Sequence, residues 1–259
     1  MKFPLLIIKK YLPIFNAFFI FIFALLAIFL FHYSLNYFLI FTVLPALVSL
    51  LVMLLILDKD LNQNWPLAVI FPIFIIGFNL MLLFTKNLPL KISCVFLFSL
   101  FCYIFLITIF RFLYLPRKYP PYALENISFS LGFLTLAISY AVCFALINFL
   151  IFPKTWLLLI IFLVSFLGFS FIFWLLKIKN DRKSFLIISL ILTQVFYSLT
   201  FLPTSFYING IILIVFALAA ISIFIRKNKD GILMTQVIKK HIFLVGAVLI
   251  LILILAKWR

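Results

Sequence analysis

Acidic side chains are almost missing from this sequence. Its 259 residues hold five, Asp58, Asp60, Glu125, Asp181 and Asp230, and Glu125 is the single glutamate. All five fall between the apolar runs or at their edges. Proton- and sodium-coupled transporters place carboxylates inside the bundle, because a carboxylate takes up and releases a cation. That signature is absent, and so is a conventional general base for chemistry at depth. Cysteine is scarce too, with Cys94, Cys102 and Cys143 all inside apolar runs. Cys94 and Cys102 stand about 12 Å apart along a helix, too far for a disulfide, and no Cys-x-x-Cys pair offers a metal or redox site. The two histidines, His32 and His241, are placed at opposite membrane faces by the topology below and cannot share a metal. No His-Glu-x-x-His, phosphate loop or Ser/His/Asp set occurs. No cofactor or metal is expected, and the sequence leans away from an enzyme.

What remains is apolar. Hydrophobic residues make up 68% of the chain and charged ones 10%, with 37 phenylalanines and a mean hydropathy of +1.40. A soluble domain carries about 25% charged residues, so this chain cannot build a water-facing surface. The net charge of +16 has no basic stripe on a soluble face to go with it, and nucleic acid is not an expected partner. The fold class is all-α, a polytopic transmembrane helical bundle in the cell membrane (plasma or inner).

About 20 apolar residues cross the hydrocarbon core as a helix. The runs predict nine spans, at 12–32, 37–57, 66–85, 91–114, 127–152, 155–176, 184–203, 206–225 and 241–257. The first follows Lys2, Lys9 and Lys10 like a signal peptide, but it is too long for one and reads as an uncleaved span. With the N-terminus in the cytoplasm, 16 of the 21 lysines and arginines fall in cytoplasmic segments, as the positive-inside bias requires. An odd span count then puts the C-terminus outside. Merging two adjacent spans would carry the lysine-rich loops to the wrong face. Trp65, Trp156, Trp174 and Trp258 all sit at predicted span ends, where amphipathic rings prefer to lie.

The chain reads as one integral membrane domain over 1–259, with four spans in 1–115, a cytoplasmic connection at 116–126 and five spans in 127–259. That connection belongs to the longest polar break, Arg111 to Asn126, whose Pro116, Pro120 and Pro121 forbid a continuous helix. Arg111, Arg117 and Lys118 there, with Glu125 beside them, are candidate contacts for anionic lipid headgroups or other membrane subunits. Asp58-Lys59-Asp60 has the spacing of a metal-binding pair, but no soluble nucleotide-binding domain accompanies it. Pro45 and Pro72 are expected to kink the second and third spans, with a broken helix beside a cavity at Pro72, Gly77 and Asn79 as the alternative. Asn79 and Gln194 are candidate intramembrane substrate or partner contacts. Ala137, Ala141 and Ala145 recur every four residues and predict a face for close helix packing. The favoured role is a non-catalytic membrane subunit or scaffold. A permease or flippase for an apolar or anionic substrate, or a membrane enzyme acting on lipid at the cytoplasmic face, are the alternatives.

Overall fold

A computed structural model describes residues 3–30, 35–57, 61–115, 123–150, 152–175, 182–202, 204–230 and Gly246. Among the described residues eight helices follow one another: α1 Phe3–Leu30, α2 Leu35–Leu57, α3 Leu61–Leu83, α4 Leu88–Tyr114, α5 Ala123–Leu150, α6 Lys154–Leu175, α7 Arg182–Leu199 and α8 Phe206–Asp230. No strand occurs among the described residues. The chain divides into two compact units, Met1–Gly132 and Phe133–Arg259, with the division falling inside α5.

Seven of the eight helices are long and apolar enough to cross a membrane, and α7 falls short, its apolar stretch being Lys183–Leu199. The predicted ninth span, 241–257, lies outside the described residues apart from the helical Gly246. Proline does not interrupt the helices that contain it: α1 runs through Pro13, α2 through Pro45, and α3 through Pro66 and Pro72. The third span is therefore one continuous helix, and the alternative of a break at Pro72 and Gly77 is not what the structure shows. Apolar packing around Ile70, Phe71, Phe74 and Ile75, all at most 2% exposed, holds it.

In the first unit α1 packs against α2 and α4, and α2 against α3. The α3–α4 seam is a ladder of phenylalanines. Phe71 stacks on Phe105 at 5.1 Å, Phe74 meets Phe98 and Phe101 at 5.0 and 5.6 Å, and Phe78 stacks on Phe98 at 3.7 Å. Each such pair adds about 0.5–1.5 kcal/mol beyond its buried area. At one end of the unit Ala24, Leu82 and Val95 close the core. Asn87 caps the start of α4 there, its side chain accepting from the Leu90 amide at 3.5 Å.

In the second unit α6 packs on α7, and α7 on α8. Lys154, at the start of α6, lies 4.8 Å from the ring of Phe201, just past the end of α7. At the other end of the pair Phe173 stacks on Phe185 at 4.9 Å. Short as it is, α7 with its terminal turn runs the height of α6. Trp156 and Trp174 sit in the first and last turns of α6, about 27 Å apart along its axis.

Candidate functional site

The polar groups buried in an apolar bundle are the first place to look for chemistry, because each must be satisfied or used. In the first unit they form a series along α1 and α2. Nearest one end, the Lys9 ammonium donates to the Tyr114 hydroxyl at 2.9 Å and lies 5.3 Å from that ring. The same hydroxyl donates to the Ile56 carbonyl at 3.0 Å. One tyrosine thus joins α1, α2 and α4. Two turns further along, the Ser49 hydroxyl donates to Asn16 Oδ1 at 3.0 Å. Asn16 Nδ2 and the Thr42 hydroxyl are buried without a partner among the described residues.

Asn79 on α3 is the sharpest case. It is 0% exposed, and neither Oδ1 nor Nδ2 has a hydrogen-bond partner among the described residues. A buried amide left unsatisfied costs about 1–3 kcal/mol. The other candidate amide, Gln194, belongs to the second unit and is exposed on α7.

Between α1 and α4, still within the first unit, an open groove of about 530 Å³ is lined by Ile14, Ala17, Phe18, Phe21, Phe96, Ser99, Leu100 and Tyr103. The Ser99 hydroxyl is turned back to the Phe96 carbonyl at 2.9 Å, so the groove is apolar. Phe21 and Phe96 meet edge to face at 6.5 Å near its far end. Arg111 is exposed in the last turn of α4 and anchors the helix end by backbone, the Leu115 amide donating to its carbonyl at 2.8 Å. Arg117 and Lys118 lie outside the described residues. Glu125 lies in the first turn of α5, but its side chain is likewise outside them.

In the second unit the Tyr140 and Ser165 hydroxyls share a buried hydrogen bond of 2.9 Å between α5 and α6. Thr204 donates to Asn209 Oδ1 at the turn into α8, and Asn209 Nδ2 donates to the Leu199 carbonyl at 3.4 Å. Ala145 is buried and Ala137 and Ala141 are half-buried. A Cβ placed on Gly210 of α8 would come within 3.1 Å of the Ala141 Cα, so the two backbones nearly touch there. The groove, the Lys9–Tyr114 bridge and the Gly210 approach were not visible in sequence. Only Gly210 left a trace, as a lone glycine within an apolar run.

No group of three or more His, Cys, Asp or Glu residues that could hold a metal is present among the described residues. Compared with known protein families, curated proteins and solved structures, the chain matches none. The class defined by the fold is an apolar helical bundle suited to a bilayer, and its seven apolar helices suggest a membrane protein.

Proposed function

We propose that the chain is a non-catalytic subunit or scaffold of the cell membrane, acting through its helix faces and its basic cytoplasmic loops. The observation that carries this reading is the position of the acids: none of the five lies within the seven membrane-length stretches. The bundle therefore has no carboxylate at depth to take a proton or a cation. The buried bonds Ser49–Asn16 and Tyr140–Ser165 and the half-buried Tyr114–Ile56 bond support it, since they use polar groups to hold helices together.

The proposed topology has nine spans, the N-terminus in the cytoplasm and the C-terminus outside. The 16 cations on one face support it. The end-to-end match of α7 with α6 supports counting α7 as a crossing despite its length. Arg111 to Asn126 is then the cytoplasmic surface for a partner subunit or anionic headgroups. A double Arg117→Gln, Lys118→Gln change leaves 14 of the 16 inner charges, so orientation and abundance should hold while cellular activity falls. If activity is also unchanged, the segment is only a connector and the reading fails.

Asn79 favours a second reading, a permease. Both of its amide atoms are buried without a partner among the described residues, which supports a role in holding a polar ligand. Asn79→Leu should abolish flux under this reading and leave a scaffold working.

A further inference from the structure

The groove between α1 and α4 has a charged mouth. On α1 its lining residues Ile14, Ala17, Phe18 and Phe21 form one helical stripe, and Lys10 lies on that stripe one turn before Ile14. On α4 the lining residues Phe96, Ser99, Leu100 and Tyr103 form a second stripe, which continues through Ile107 to Arg111. The Lys9–Tyr114 bond brings the start of α1 level with the end of α4. Lys10 and Arg111 therefore stand at the same end of the groove, and both are exposed. Neither makes an ion pair with a described residue.

The length of this feature matches one leaflet. From Lys10 to Phe21 is eleven residues, about 16 Å of helix, against about 15 Å for half of a 30 Å hydrocarbon core. We propose that the α1–α4 groove is a binding site for one anionic phospholipid, with an acyl chain lying in the groove and the phosphate held between Lys10 and Arg111. Two features distinguish this from incidental lipid contact. The groove is a concavity of about 530 Å³ with walls supplied by two helices rather than a ridge of side chains on one. The two cations are also fixed on helices rather than carried on a loop, so little ordering is needed to hold a headgroup. The site shares Arg111 with the segment proposed above for a partner or headgroups but does not need the scaffold role. The Arg117→Gln, Lys118→Gln change that tests that role leaves Lys10, Arg111 and the groove in place.

The full chain, purified in detergent and offered equal phosphatidylglycerol and phosphatidylcholine of matched chains, should retain the anionic lipid. Native mass spectrometry should show a preference of about thirtyfold, as expected for two cations of ordinary strength at an anionic surface. Lys10→Gln with Arg111→Gln should bring the ratio near unity, whereas Lys227→Gln with Lys229→Gln should leave it unchanged. Ala17→Phe, which fills the groove, should release the lipid with helicity intact. Should that variant fail to fold, Leu100→Trp takes the same space from the opposite wall, where Leu100 is 44% exposed. Inorganic phosphate at millimolar concentration should not compete. The proposal is overturned if the preference survives the Lys10 and Arg111 changes, if the Lys227 and Lys229 changes remove it equally, if the folded groove-filling variant still retains the lipid, or if free phosphate displaces it.

Discussion

Gly210 gives the most quantitative test of how the second unit is packed. A Cβ there would meet Ala141 Cα at 3.1 Å and Ala141 Cβ and N at 3.3 Å. Two of these atoms are backbone, so no side-chain rotation relieves the contact, and α8 must move off α5. Overpacking of this kind costs about 1–3 kcal/mol. Opposing it, replacing a helical glycine with alanine gains roughly 0.5–1 kcal/mol. Gly210→Ala should therefore lose about 1 kcal/mol net, and Gly210→Leu should lie at or beyond the upper end of the overpacking range. Gly168 provides the comparison. Its added Cβ would sit closer to a neighbour, 2.6 Å from Leu136 Cδ2, but that atom is the tip of a flexible side chain. Despite the shorter distance, Gly168→Ala should be the milder change. Unfolding of the purified protein in denaturing detergent, followed by far-UV helicity, measures all three. A Gly210→Ala variant stabilised by the full helix-propensity gain would show that the α5–α8 seam opens freely, and the packing argument would fail.

Much of the helical layout was legible in the apolar runs, because uninterrupted hydrophobic length is a strong signal and charge marks its ends. The predicted 37–57, 91–114 and 155–176 lie within three residues of α2, α4 and α6 at either end. The start of α1 was read nine residues late. Lys9 and Lys10 look like a flank in a hydropathy window, yet Lys9 belongs inside the helix, where the Tyr114 hydroxyl accepts its hydrogen bond. Which face of each helix turns inward was not legible. Helices α2 and α3 are apolar nearly all round, so no stripe separates core from lipid. For the same reason Asn79 and Gln194 looked alike in sequence, though one is buried and the other exposed. The α1–α4 groove depends on residues some eighty positions apart, and no local pattern announces it.

Further outcomes follow from the buried polar groups. Asn79→Leu should raise stability, by up to about 1–3 kcal/mol in the same unfolding assay, since it removes two unsatisfied atoms; a loss would show that the amide has a partner in the native protein. Tyr114→Phe should cost about 1–3 kcal/mol, because its hydroxyl both accepts from Lys9 and donates to Ile56. Ala141→Leu should destabilise the second unit by roughly 1–3 kcal/mol through overpacking against Gly210, and an unperturbed melt would place that face towards lipid.

Topology underlies every functional statement, since it decides which loops meet the cytoplasm. A reporter that is active only outside the cytoplasm, fused after Arg259, reads it directly, with a cytoplasm-active reporter at the same position as its complement. The nine-span arrangement predicts activity from the first and silence from the second. The reverse pattern would put the C-terminus in the cytoplasm, make the number of crossings even, and contradict the account.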